Sequence, residues 1–173
     1  MLRTKKLTLF SLLLAIALVL GFFESFIPAF SVVPGGKLGL ANIVTMAVFC
    51  LFSLPEALLF GIVRSLLTAV LYSGISAFFY SCAGSVLSVL AMWIFRKLLK
   101  NSISEIGLSI SGAVWFNIGQ LTVAAFFLGT VQIFRYFPAL GIISAFAGLL
   151  TGYITKILLV YINKKNIQNN TEI

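Results

Sequence analysis

The sequence has no histidine and no aspartate, and its four acidic residues are all glutamates. These absences remove the side chains on which imidazole catalysis, aspartate-rich magnesium sites and ordinary zinc sites depend. The sequence also lacks a glycine-rich phosphate loop ending in Lys-Ser or Lys-Thr. We therefore expect a protein that is not an enzyme, that uses no metal or other cofactor, and that draws any energy from an ion gradient or a partner protein.

Charged residues are also scarce, because they make up 9% of the 173 residues whereas 61% are hydrophobic. Such a composition is too apolar for a surface that faces water, so the surrounding solvent must be lipid. A membrane-spanning helix needs about 20 mainly apolar residues. The chain has room for six such helices with short connections, and we predict an all-α polytopic membrane protein, a single bundle of six transmembrane helices.

Prolines and glycines mark the ends of the predicted helices. Pro55 and Pro138 suit the first turns of the third and sixth helices, and Ser73-Gly74 predicts a tight turn between the third and fourth. The transmembrane domain is predicted to cover residues 1–162, and a polar cytoplasmic tail follows at 163–173. The six predicted helices are 7–26, 38–53, 55–72, 76–95, 106–128 and 138–162.

The net charge of +8 comes from cations at the ends of apolar segments rather than from one basic face, which argues against a nucleic-acid partner. An even number of spans places the three main clusters of cations on one side of the membrane. The positive-inside rule identifies that side as the cytoplasmic one. We predict a multi-pass protein of the plasma (inner) membrane with both termini in the cytoplasm. The clusters are Arg3, Lys5 and Lys6; Arg96, Lys97 and Lys100; and Lys164 and Lys165.

Arg64 falls in the middle of the third predicted helix. A central arginine costs at least about 2.5 kcal/mol to insert into a membrane, so we expect it to face the bundle interior or a wet cavity. A polar stripe shares its helical face at three- and four-residue spacing: Gly61, Ser65, Thr68 and Tyr72. Either Arg64 locks the fold by pairing with Glu24 or with backbone carbonyls, or it holds an anionic ligand.

Two further candidates lie at the predicted outer side. Glu24 ends the first helix, where it either faces headgroup water or acts as a counter-charge to Arg64 or a ligand contact. The segment 34–42 contains Gly35 and Gly36 before Lys37, and it ends at Asn42 near the start of the second helix. Close backbone approach, a positive helix end and the lysine charge together predict an outward-facing anion-binding corner. A plain glycine-rich turn is the alternative.

Asn117 and Gln120 lie about one turn apart on the fifth predicted helix. Amides buried in a membrane need partners, worth roughly 0.6–2 kcal/mol each across helices, so bonding between helices and ligand binding both remain open. No catalytic residue is predicted. The predicted solute-binding residues are Glu24, Lys37, Asn42, Arg64, Asn117 and Gln120.

Three stretches resemble the Gx transporter family. They are the run 34–45, which reads Pro-Gly-Gly-Lys-Leu-Gly-Leu-Ala-Asn-Ile-Val-Thr, the spacing from Glu56 to Arg64, and the run 116–121, which reads Phe-Asn-Ile-Gly-Gln-Leu. That family is often labelled heptaprenyl diphosphate synthase component I, and it is similar to the substrate-binding S components of energy-coupling factor (ECF) transporters. The resemblance extends over about residues 7–160. Phe116 stands where the family often has histidine, so no proton-transfer role is expected there.

The resemblance implies a six-helix subunit that captures a small molecule near the outer face and works with a transmembrane coupling protein and two cytoplasmic ATPases. It also implies that small residues of the first helix dock the coupling protein, and the nearest match here is Ser11, Ala15, Ala17 and Gly21. The synthase label does not fit this chain acting alone. Prenyl diphosphate synthases use aspartate-rich magnesium motifs, and this chain has no aspartate.

Three functions fit these residues. The leading hypothesis is a membrane transport subunit that binds a small anionic or amphipathic solute from outside, with Arg64 and Lys37 supplying positive charge. The alternative is a non-catalytic membrane accessory subunit in isoprenoid, heptaprenyl diphosphate or quinone biosynthesis. The third, a catalyst acting on lipid, has only Glu24, Lys37 and tyrosines as acid–base groups.

Overall fold

The chain is all-helical in the part that the structure, a computed structural model, describes, which is residues 3–26 and 41–171. No strand occurs within those ranges, and the all-α part of the predicted fold class is confirmed. A π-helical turn covers Ala69–Ser73, and short 3-10 helices cover Lys100–Ser102 and Val131–Tyr136. The α-helices are α1 (Arg3–Ser25), α2 (Ala41–Leu51), α3 (Leu54–Thr68), α4 (Gly74–Leu99), α5 (Glu105–Leu128) and α6 (Phe137–Thr171).

Four continuous helical stretches among the described residues are long and apolar enough to cross a membrane. They are Thr4–Ser25, Leu54–Leu99, Glu105–Leu128 and Val131–Leu158. A fifth stretch, Asn42–Leu51, is apolar but too short by the same measure. The helices are therefore compatible with a membrane protein, but length and composition alone do not confirm the predicted count of six spans.

The long stretch Leu54–Leu99 folds back on itself. Gly74 has a φ of 77°, a conformation that glycine adopts without a steric penalty, and it follows the π-helical turn. Beyond this turn α4 packs against α3 in the opposite direction, because Ser65 bonds to Ser81 while Arg64 bonds to Ser85. The turn predicted at Ser73-Gly74 is thus present, and α3 and α4 form an antiparallel hairpin.

Glycines bring α5 close to both of its neighbours. A Cβ added at Gly119 would lie 2.7 Å from the Ala83 carbonyl oxygen on α4. On α6, a Cβ at Gly148 or Gly152 would lie 2.7 or 2.6 Å from an α5 Cα. Gly148 and Gly152 therefore allow α6 to approach α5 closely, whereas a Cβ at Gly141 would meet no neighbouring helix of the described residues within 4 Å.

The helices α6 and α4 both extend beyond their predicted ends. α6 continues to Thr171, past the predicted end at residue 162, because no glycine or proline follows Gly152 to stop it. α4 continues to Leu99 rather than ending at residue 95, and the positive φ of Lys100 then turns the chain. Parts of the predicted polar tail and of the predicted loop after the fourth helix are therefore helical.

The burial pattern is the reverse of that in a water-soluble protein. Large apolar side chains such as Val70, Ile75 and Phe126 are exposed, whereas Arg64 and Asn117 are buried. Water-soluble monomers rarely expose so much contiguous apolar surface. An apolar exterior with polar groups buried in the bundle is what a lipid environment favours, because buried polar groups can satisfy one another.

The N-terminus of α5 offers a direct test of helix capping. Ser104 is the N-cap, and its hydroxyl accepts a hydrogen bond from the Gly107 amide at 3.2 Å. Replacing Ser104 with alanine is expected to lower the free energy of unfolding by about 1 kcal/mol, because one helix-terminal N–H loses its partner. The check is the melting temperature in detergent, with Ser102→Ala as control. Equal melting of both variants would contradict the capping role.

Candidate functional site

The centre of the bundle contains a polar face of α3. Arg64 is only 4% exposed, and Gly61, Ser65 and Thr68 are buried beside it. These positions recur every three or four residues, so they lie on one side of the helix. The prediction that Arg64 faces the interior of the bundle is confirmed.

The guanidinium of Arg64 is only partly satisfied by the described residues. Its Nη2 donates to the Ser85 hydroxyl on α4 at 2.8 Å. Its Nε is buried and has no hydrogen-bond partner among those residues. A buried donor without a partner costs about 1–3 kcal/mol or more when it is charged. The site therefore retains one buried, positively charged donor that a ligand acceptor can satisfy.

Serines on α4 support this face of α3. The Ser65 hydroxyl donates to the Gly61 carbonyl at 2.8 Å and lies 3.0 Å from the Ser81 hydroxyl. Ser81 and Ser85 are four residues apart, so both face α3. These serines were not among the predicted site residues, although their shared face opposite an intramembrane arginine was an available signal.

Glu24 and Tyr72 complete the polar region at the far end of α1. Glu24 is buried, with 5% of its surface exposed, and its charge acts on Arg64. This burial fits the counter-charge interpretation better than a carboxylate facing headgroup water. The Tyr72 hydroxyl donates to the Leu18 carbonyl at 3.1 Å and lies 3.4 Å from the Thr68 hydroxyl, so it ties α1 to α3.

Asn42 lies in a different place, beside a small internal cavity. It is buried in the first turn of α2, and its Oδ1 has no hydrogen-bond partner among the described residues. The cavity has a volume of about 10 Å³ and is also lined by Ser88, Ser109 and Thr151. A polar cavity of this size holds about one water molecule. Asn42 therefore has an open acceptor, but this cavity is too small for an organic solute.

The two amides of α5 are both buried. Asn117 Nδ2 donates to the Leu140 carbonyl at 3.2 Å and to the Ser144 hydroxyl at 3.0 Å, both on α6. These contacts match the interpretation of Asn117 as a bond between helices. They turn its donor away from the α3–α4 hairpin that holds Arg64, and a ligand role for Asn117 or Gln120 stays a prediction.

Replacing Asn117 with alanine tests its role on α5. Loss of the two hydrogen bonds to α6 is expected to lower the free energy of unfolding by about 0.6–2 kcal/mol. The melting temperature in detergent measures this change, and Thr122→Ala, which removes only a bond within α5, is the control. Unchanged stability together with lost solute binding would instead assign Asn117 to the ligand.

The predicted docking residues of α1 do not share one face. Ala17 is completely buried and Gly21 is also buried, whereas Ser11 and Ala15 are exposed. The physical reason is the helical period, since six residues from Ser11 to Ala17 turn the helix by about 240°. Of these four predicted docking residues, Ser11 and Ala15 are the two whose side chains a partner helix could contact.

The predicted solute site is thus brought together only in part. Arg64 and Glu24 interact electrostatically, but Asn42 lines a separate cavity and Asn117 bonds to α6. Lys37 and the glycine corner before it lie outside the described residues. The described part of this arrangement offers the charge and the N–H donors of Arg64 to an anion.

Most of the chain matches one family model. The matched residues are 13–158, and the family is described as heptaprenyl diphosphate synthase component I. No curated protein matches the chain. No solved structure matches it.

Proposed function

The chain belongs to the heptaprenyl diphosphate synthase component I family, and within that family we propose for it the role of a membrane-embedded subunit that captures a small anionic or amphipathic solute. The observation that carries this proposal is the buried guanidinium of Arg64. Placing a charge inside a lipid-facing bundle is costly, and intramembrane arginines commonly mark a ligand or ion site. The resemblance to the Gx transporter family and to ECF S components supports the same role.

The chemistry of Arg64 selects the class of solute. A guanidinium presents fixed N–H donors that suit carboxylate and phosphate oxygens. Ser85 takes one donor and leaves Nε open, while Glu24 contributes a negative charge nearby. A solute with one anionic group would supply the acceptor that Arg64 Nε lacks among the described residues.

The proposal includes six membrane segments with both termini in the cytoplasm. Leu54–Ser73, which is α3 with its π-helical turn, is about 30 Å long and α4 is longer, so each arm of the hairpin can cross the membrane. α2 is about 16 Å long and would therefore cross only about half of the membrane's hydrocarbon core. Lys6 and Glu56 pair at 2.6 Å, so α1 and α3 begin at one end, which we assign to the cytoplasm by the positive-inside rule.

Transport requires partners under this proposal, because the sequence lacks an ATP-binding loop. We expect a transmembrane coupling protein and cytoplasmic ATPases, with lipid covering the remaining apolar surface. The exposed residues Ser11 and Ala15 of α1 are the docking positions that remain from the sequence prediction. Small residues at this spacing allow two helices to approach closely.

The family description favours a second candidate function. A family described as component I of heptaprenyl diphosphate synthase is consistent with a non-catalytic membrane subunit that supports a separate prenyltransferase. In this role Arg64 would lock the fold through Ser85 and Glu24 rather than hold a solute. The two functions predict different partners.

The experiment that tests the proposal is affinity purification from the native membrane in mild detergent. Mass spectrometry would identify both the proteins and the small molecules that co-purify. The expected result is a coupling protein with ATPases, together with an anionic small molecule. Recovery of a prenyltransferase without these partners and without a bound solute would contradict the transport role and support the accessory role.

A further inference from the structure

A second polar cavity lies at the end of the bundle where α4 ends and α5 begins. Its volume is about 590 Å³, within the range of about 300–1,000 Å³ that is typical of small-molecule sites. The charged side chains of its lining are Arg96, Lys100, Lys156 and Glu105. Three cations and one carboxylate give this lining a net charge of +2.

The three cations come from two parts of the chain, the end of α4 and the middle of α6. Arg96 is in the last turn of α4, Lys100 follows that helix, and Lys156 is on α6. A positive φ of 45° at Lys100 turns the chain sharply after α4. Arg96 lies 5.6 Å from the ring centroid of Phe49 and lines the cavity, whereas its neighbour Lys97 lies 5.1 Å from the ring centroid of Trp93 and does not. The cavity is therefore lined by some, but not all, of the cations at this end of the bundle.

These cations are not neutralised by carboxylates within the described ranges. The ion pair found there joins Lys6 to Glu56, and no carboxylate of the described residues lies within 4.0 Å of Arg96, Lys100 or Lys156. Glu105 occupies the first turn of α5, where the helix dipole favours a carboxylate. Like charges that line one cavity repel one another, so an anion bound between them is stabilised.

We propose that this cavity binds a phosphate or diphosphate group, carried either by an anionic lipid or by a free phosphorylated compound. A multiply charged phosphate matches a net charge of +2 better than a single carboxylate does. Arg96 adds a planar guanidinium that can donate hydrogen bonds to two phosphate oxygens at once. The site lies near the start of α3, about 15 Å along the helix from Arg64, and it does not depend on solute binding there.

The test compares two double variants in which two lysines each become glutamine. Lys100→Gln/Lys156→Gln removes cations that line the cavity, and Lys5→Gln/Lys97→Gln removes two exposed cations elsewhere at the same end. Calorimetric titration with inorganic diphosphate would use protein in phosphatidylcholine nanodiscs. Native mass spectrometry would measure retained phosphatidylglycerol in detergent. Lys100→Arg/Lys156→Arg keeps both charges and serves as a rescue variant.

We expect the cavity variant to bind at least one of the two probes at least tenfold more weakly than the wild type, since it loses two charged hydrogen-bond donors to the bound anion. The surface variant and the arginine variant should stay close to wild type. A selective loss of diphosphate identifies a free phosphorylated ligand, and a selective loss of phosphatidylglycerol identifies a lipid headgroup. Equal weakening in both glutamine variants, or no binding of either probe by the wild type, overturns the proposal.

Discussion

Replacing Arg64 with alanine is expected to remove the co-purifying solute while leaving the protein inserted and folded. The lost charged hydrogen bonds are worth about 1.5–3 kcal/mol each, which lowers affinity at least tenfold. The measurement is the amount of solute per mole of purified protein, determined by mass spectrometry. Arg64→Lys should retain part of the solute, because it keeps the charge but loses the planar donor fork.

The control for this prediction is Arg135→Ala, which removes an exposed arginine on the 3-10 helix Val131–Tyr136. This variant should keep its full complement of solute. Size-exclusion profiles in detergent would report folding for each variant. If Arg64→Ala aggregates while Arg64→Lys and Arg135→Ala remain monodisperse without any bound solute, Arg64 is a structural lock and the solute-binding role is contradicted.

The double substitution Gly148→Ala/Gly152→Ala is expected to cause the largest loss of stability. Each new methyl group would lie less than 3 Å from an α5 Cα, at Ile110 and Ile106 respectively. Backbone atoms cannot rotate away as a flexible side chain can, so α5 and α6 must separate. Overpacking of this kind costs about 1–3 kcal/mol per site. Thermal unfolding in detergent, followed by circular dichroism, measures the effect.

Gly141→Ala is the matched control on the same helix. No atom lies within 4 Å of a Cβ added there, and alanine favours a helix over glycine by up to about 1 kcal/mol. Gly141→Ala should therefore melt at the wild-type temperature or slightly above it. A double variant that melts no lower than Gly141→Ala would show that α6 does not pack against α5 through these glycines.

The sequence predicted the helical class and the burial of Arg64 because both follow from the energetics of lipid. An arginine in an apolar segment must point inward, and the polar residues three and four positions away then point inward with it. The turn at Gly74 was predictable for a similar reason, since Ser-Gly between two apolar runs favours a reversal of the chain.

The partners of the polar side chains were not predictable from the sequence. Ser85 and Ser144 bond to Arg64 and Asn117 across helix interfaces, and an interhelical register cannot be obtained from one helix at a time. For the same reason, the sequence could not show which of the predicted docking residues of α1 are exposed. Ala17 is as small as Ala15, but only the packing of α1 against its neighbours shows that it is buried.

Solute binding at Arg64 can be tested by determining the structure of the protein purified from its own membrane without added ligand, by crystallography or electron microscopy. We expect density for an anionic group within about 3 Å of Arg64 Nε, the hydrogen-bond distance for such a pair. We also expect Nη2 to keep its bond to Ser85. An Nε bonded only to protein groups, with no density beside it, would contradict solute binding at Arg64.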